Sequence, residues 1–162
     1  MKGEILEINK GVFFIFGEPG SGKTNIINYM ANEDNSIITT RFHSFKPIQV
    51  EYDVMSADEG IYSSEDFWKN TLIQIKDKFE GCMEKYNVPV AVEAIKSVDE
   101  KIKEVLRLAN CLYKKTGRTT VIAVDGIDHV ARAGKKNTFL KTIPSPNCLP
   151  EGVVFLLAGR PY

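Results

Sequence analysis

A glycine-rich segment carries the clearest chemistry in the sequence. It reads Gly17-Glu18-Pro19-Gly20-Ser21-Gly22-Lys23-Thr24 and satisfies GxxxxGK[ST], a pattern that forms a phosphate-binding loop between a strand and a helix. Its glycines let consecutive backbone N–H groups turn towards a phosphate, and the N-terminus of the next helix adds positive potential. We therefore expect this segment, with Asn25 after it, to bind a nucleoside triphosphate. Lys23 is predicted to contact the β- and γ-phosphates and Thr24 to bind Mg²⁺.

Two carboxylates follow another apolar run. Residues 120–124 lead into Asp125, and the sequence Asp125-Gly126-Ile127-Asp128 places a second acid three residues later. An acid at the tip of a buried strand suits Mg²⁺ held through its water shell, so Thr24 and Asp125 are the predicted metal ligands. Asp128 is predicted to orient or deprotonate an attacking water. Its alternative role is a helix N-cap or turn residue.

The last apolar run ends at Arg160. Because the carboxyl ends of parallel strands line the ligand crevice, Arg160 is predicted to reach a terminal phosphate. Its alternative is a solvated residue at the end of the chain. Arg41 is a weaker candidate by the same reasoning. His129 could hydrogen-bond the Asp128 carboxylate or a nearby water, although a surface or satisfied buried histidine is the commoner outcome.

Continuous apolar runs indicate the strands that must position these residues. The runs at 12–16, 121–124 and 153–158 are typical of parallel strands covered on both faces. A shorter strand is predicted at 36–42, followed by an irregular stretch at 43–61 that contains a proline, a glycine and several acids.

Two long helices are predicted between the strands. Apolar residues recur at steps of three and four over 68–86 and 98–113. Ser63 with Asp66 forms a predicted capping pair before the first helix, and Gly117 is predicted to end the second. The alternation of strands and helices predicts an α/β fold with a mostly parallel sheet, in one domain spanning 1–162.

Composition excludes several classes of partner. The 21 Lys and Arg residues balance 21 Asp and Glu residues, which argues against a general nucleic-acid binder. The three cysteines are far apart and form no CxxC pair, so neither a zinc site nor a disulfide framework is predicted. No segment approaches the roughly 20 apolar residues that cross a bilayer. Without a signal peptide pattern, the expected location is cytoplasmic.

Four segments together resemble the STAND class of P-loop NTPases, the signal-transduction ATPases related to NACHT domains. They are GEPGSGKT, RFHSFKP, TTVIAVDGIDHV and LPEGVVFLLAGRPY. The resemblance implies a three-layer P-loop NTPase sandwich that binds ATP or ADP with Mg²⁺ and hydrolyses ATP slowly. It also implies a switch between a closed ADP form and an open, usually oligomeric, ATP form. In that switch Gly17, Gly22, Lys23 and Thr24 would hold phosphates and metal, Asp125 would serve the metal, and Arg160 would sense the γ-phosphate.

The chain departs from this family at two residues and in its extent. His129 stands where many members carry glutamate, and Gly126 replaces the glutamate that follows the first aspartate in other ATPases. The resemblance therefore supports nucleotide binding more strongly than hydrolysis. It also implies a core fragment that stops before a fifth strand and helical lid, with winged-helix, effector and repeat domains as partners.

Three other functions remain open from the residues. A small nucleotide or nucleoside kinase often carries the same form of P-loop, but the C-terminal half has few arginines for an acceptor site. A RecA-like ATPase is suggested by the lysine and glycine before the first strand, and the neutral charge speaks against it. The third is a nucleotide-binding module that never hydrolyses ATP.

Overall fold

Four parallel strands form one sheet in the part of the chain that the computed structural model describes, which is residues 9–31, 48–53, 63–90, 95–132 and 138–161. The strands are β1 (Lys10–Phe16), β2 (Ile48–Asp53), β3 (Thr120–Asp125) and β4 (Val153–Gly159). Their order is β1-β4-β3-β2, and all three neighbouring pairs are parallel. The predicted α/β fold with a parallel sheet is confirmed.

Helices connect the strands. They are α1 (Lys23–Ala31), α2 (Ser64–Lys85), α3 (Val98–Thr116) and the short α4 (Ile127–Arg132), with two 3₁₀ segments at Phe139–Thr142 and Pro146–Cys148. The two long helices coincide with the predicted periodic segments to within a few residues. Within the described residues, no helix is long and apolar enough to cross a membrane.

Strands β3 and β4 are buried on both faces, which explains their continuous apolar runs. The run of β1 was expected to be covered in the same way, and that prediction is wrong: β1 lies at one end of the described sheet, and Phe13, Phe14 and Phe16 are exposed. Alternate residues of β3 and β4 face opposite layers. One layer packs with α2 and α3 and includes Ile122, Val124, Phe155 and Leu157. The other packs with Ile27 of α1 and includes Val121, Ala123, Leu156 and Ala158. The result is a three-layer sandwich with α1 on one face and α2 and α3 on the other.

The helix ends follow the sequence signals. Ser63 Oγ accepts a hydrogen bond from the Asp66 backbone N–H at 3.1 Å, as predicted for the start of α2. Helix α3 begins with a reciprocal capping box between Ser97 and Glu100, and it ends at Gly117 with a left-handed φ of 70°. Hydrogen bonds from the backbone N–H groups of Ser97, first, and then Lys96 lower the pKa of the Glu100 carboxyl.

One element contradicts the sequence prediction. Strand β2 lies at Ile48–Asp53, inside the stretch 43–61 that was expected to be irregular. The predicted strand at 36–42 lies outside the described residues. The sequence of β2 alternates Ile48, Val50 and Tyr52 with polar residues, the period-2 pattern of a strand. The neighbouring proline and acids outweighed that pattern in the prediction.

Candidate functional site

The glycine-rich loop lies directly between β1 and α1, as the pattern requires. The Gly17 N–H donates to the Gly159 carbonyl at 3.4 Å, so the start of the loop is joined to the end of β4. Inside the loop, the Ser21 N–H donates to the Glu18 carbonyl at 3.1 Å. Gly20 and Gly22 have φ values of 80° and 85°, a conformation in which other L-residues are strained.

The Lys23 ammonium is held by the loop itself. Its Nζ donates to the Gly17 carbonyl at 2.5 Å, the Glu18 carbonyl at 2.9 Å and Ser21 Oγ at 3.2 Å. These three acceptors place the positive charge inside the curve of the loop. A phosphate entering this curve would meet the ammonium together with the loop N–H groups.

A depression of about 210 Å³ opens beside the loop at the start of α1. Its lining consists of Gly20, Gly22, Lys23, Thr24 and Asn25. The first turn of α1 carries no acidic residue, so the positive potential of the helix N-terminus is not offset there. Pro19, like Glu18, lies in the exposed part of the loop. All nine predicted nucleotide-binding residues therefore form one continuous surface from the end of β1 to α1.

The two predicted metal ligands touch each other. Thr24 Oγ1 donates a hydrogen bond to Asp125 Oδ2, joining residues 101 positions apart in the chain. Asp125 is half-buried at the end of β3. A hydroxyl and a carboxylate are hard oxygen donors of the kind that Mg²⁺ takes, and Mg²⁺ usually needs only one or two such protein ligands. The residues present therefore fit the metal that the sequence predicts.

Asp128 lies in the first turn of α4, and its surroundings differ from those expected for a water-activating acid. It is only 3% exposed. Its Oδ1 accepts a hydrogen bond from the Arg160 backbone N–H at 3.2 Å. Its Oδ2 lies 3.7 Å from Arg160 Nε and 3.8 Å from His129 Nε2. The structure therefore brings Arg160 to Asp128 and His129, while the distance from His129 to the carboxylate is longer than the hydrogen bond that the sequence analysis considered.

Arg160 follows β4 at the same edge of the sheet as the phosphate-binding loop. Its side chain is 37% exposed, so it combines a fixed backbone with a guanidinium that solvent can reach. The side chain is therefore partly solvated, and the role of Arg160 at a terminal phosphate stays a prediction. Arg41, His43 and the RFHSFKP segment lie outside the described residues.

Two features at the carboxyl ends of the strands were not predicted from the sequence motifs. Gly126, directly after Asp125, has a φ of 78° and is buried. Asp53 ends β2 and lies opposite Asp125 in the register of the parallel pair. The alternating run before Asp53 could have indicated a strand that ends at this residue, but that run was predicted to be irregular.

The chain is similar to a known protein family and to a solved structure. The family model described as AAA domain matches residues 7–162. Among solved structures, the chain is similar to that of the Aeropyrum pernix ORC2 protein in its ADPNP-ADP complexes, with 14% sequence identity and a TM-score of 0.48. The match covers 93% of this chain and 34% of that chain, so this chain spans about a third of its length. No curated protein matches the sequence.

Proposed function

The chain belongs to the AAA domain family of nucleotide-binding ATPase modules, and we propose that it is a Mg²⁺-dependent ATP-binding switch of the STAND type that hydrolyses ATP slowly. The observation that carries the proposal is the Thr24–Asp125 contact. In this contact the Thr24 hydroxyl of the phosphate loop meets the acid at the end of a separate strand, which supports the proposal because a Mg-nucleotide requires such a pair.

The residues divide the work of binding. The loop N–H groups and Lys23 would bind the β- and γ-phosphates, and Arg160 would reach the terminal phosphate from the end of β4. Thr24 and Asp125 would hold Mg²⁺, which when bound neutralises charge on the phosphate oxygens. Together these groups favour a triphosphate over a diphosphate.

The switch role is inferred from the four motifs that resemble STAND proteins. On this proposal, the chain works with a lid, a winged helix, and effector and repeat domains, and it forms nucleotide-dependent homo-oligomers in the cytoplasm. Adenine nucleotides are the proposed ligands, and ATP turnover resets the switch. Nucleic acid is not a proposed partner, because the Lys and Arg residues are balanced by acids.

Ligand-induced thermal stabilisation tests the proposal. We expect Mg-ATP and Mg-ADP at a hundred times their dissociation constants to stabilise the chain by about 2.7 kcal/mol. For a domain of this size that is a rise of roughly 5–10 °C in Tm. Lys23→Ala should abolish the rise, whereas Lys103→Ala, which removes an exposed lysine on α3, should keep it.

Further measurements test metal binding, base specificity and hydrolysis separately. Thr24→Ala and Asp125→Asn should remove the difference between Mg²⁺ and EDTA, because each removes one metal ligand. A smaller rise with Mg-GTP than with Mg-ATP would support adenine specificity, and phosphate release from ATP would separate a hydrolase from a module that only binds. A rise that Lys23→Ala retains would overturn the assignment of the loop as the binding site.

A further inference from the structure

We infer that Asp128 is a positioning residue that holds Arg160 towards the terminal phosphate. This inference rests on the proposed function, because it assumes that a nucleotide occupies the loop. It differs from the sequence prediction, in which Asp128 acts on water. The observation behind it is a double contact between one buried carboxylate and one arginine.

The contact restrains both the main chain and the side chain of Arg160. Asp128 Oδ1 accepts the backbone N–H, which fixes where the arginine leaves β4. Asp128 Oδ2 lies 3.7 Å from Arg160 Nε. This proximity favours guanidinium orientations in which the Nε side of the group lies near α4. An arginine carries five N–H donors in a planar fork. With Nε the guanidinium atom that lies near the carboxylate, the Nη donors can point towards a phosphate.

The burial of Asp128 argues against a direct role in activating water. At 3% exposure, almost none of the residue is accessible to solvent. A general base must lie within hydrogen-bond reach of the water that it deprotonates. The contacts of the carboxylate include the Arg160 N–H, and its Oδ2 lies near Arg160 Nε and His129 Nε2. A buried aspartate beside an arginine suits a role in positioning that arginine.

The preference for triphosphate over diphosphate tests this inference. The dissociation constants of Mg-ATPγS and Mg-ADP should be measured by calorimetry on the whole chain. Arg160→Ala should reduce the preference for ATPγS by about tenfold or more, the size expected for a charged hydrogen bond. Asp128→Asn should reduce it in the same direction while leaving ADP affinity unchanged, because it disturbs only the orientation of the arginine.

Three further variants test the contact between Asp128 and Arg160. The double variant Asp128→Asn with Arg160→Ala should show no greater loss than Arg160→Ala alone, since both changes act through one contact. Asp77→Asn removes an exposed carboxylate on α2 and should keep the wild-type preference. If Asp128→Asn fails to fold, Arg160→Lys replaces it, because lysine keeps the charge but cannot meet Asp128 through Nε; its preference should fall close to that of Arg160→Ala.

Several results would overturn the inference. An equal loss of both affinities in Asp128→Asn would indicate a general structural role. An unchanged preference with a reduced kcat would indicate that Asp128 acts on water. A wild-type preference in Arg160→Lys would show that the Nε contact is not needed. Wild-type binding without any ATPγS preference would overturn this inference alone, whereas absence of all nucleotide binding would overturn the proposed function as well.

Discussion

Replacing Gly126 tests why this chain lacks an acid beside Asp125. The resemblance to P-loop ATPases would place a glutamate here, whereas Gly126 is buried and has a φ of 78°. A side chain here requires the left-handed backbone conformation that L-residues avoid. We expect Gly126→Glu to lose stability and to gain no ATP hydrolysis, because the backbone that supports the site does not suit an acid there.

The size of the loss follows from the backbone. A non-glycine residue in the left-handed region costs about 1–2 kcal/mol, and each kcal/mol shifts Tm by about 2–4 °C in a domain of this size. Gly126→Ala should therefore lower Tm by about 2–8 °C. Gly126→Asn should lower Tm by less than Gly126→Ala, since asparagine tolerates this conformation better. Gly126→Glu should lose more than Gly126→Gln, because its carboxylate would join those of Asp125 and Asp128.

Thermal melts of the four variants, followed by circular dichroism at pH 7 and about pH 4, separate these effects. The excess loss of Gly126→Glu over Gly126→Gln should shrink at about pH 4, where carboxylates begin to take up protons. Phosphate release from Mg-ATP gives the parallel measurement of activity. An unchanged Tm in Gly126→Ala would refute the backbone argument, and a higher kcat in Gly126→Glu would refute the conclusion about catalysis.

Two predictions concern the helices that support the sheet. Ser63→Ala removes the side-chain cap of α2 and should cost about 1 kcal/mol, or a Tm lower by about 2–4 °C. Ser145→Ala is its control, because Ser145 precedes a 3₁₀ segment without a capping bond from its side chain and the change removes only an exposed hydrogen bond to Cys148 Sγ; an equal loss in both would contradict the capping argument. The pKa of Glu100 is lowered from its ordinary value of 4.5, so its stabilisation is complete above that pH and is lost as the pH falls through the lowered pKa. Glu100→Gln should lack this part of the pH dependence of Tm, and identical pH profiles would contradict it.

The elements that sequence predicted best are those whose signal is local. Strands β3 and β4 lie between helical layers, and burial on both faces requires the continuous apolar runs that marked them. Helices α2 and α3 combine apolar spacing with capping residues at their ends, so both type and boundaries were recoverable. Strand β2 was missed because its alternating pattern is short and is flanked by Pro47 and acids. Short alternating runs carry less information than long periodic ones.

In the candidate site, too, residues with a local sequence signal were predictable, and a contact between distant residues was not. The phosphate loop was predictable because its residues are consecutive, and Asp125 was predictable because parallel strands end at one edge of the sheet. The Asp128–Arg160 contact was not predictable. Sequence places both residues at that edge, but which oxygen meets which donor depends on how α4 packs against the end of β4. The φ of Gly126 is likewise a property of that turn and not of the motif.

The end of β4 is where these contacts converge. In the order β1-β4-β3-β2, the last residues of β4 have the phosphate loop on one side and β3 on the other. The Gly159 carbonyl accepts from Gly17 of the loop, and the next residue, Arg160, donates to Asp128 of α4. Adjacent peptides of one buried strand therefore connect the loop to α4. On the proposed function, a displacement of Arg160 by a terminal phosphate would be transmitted to α4, because Asp128 accepts the Arg160 backbone N–H and lies 3.7 Å from its Nε.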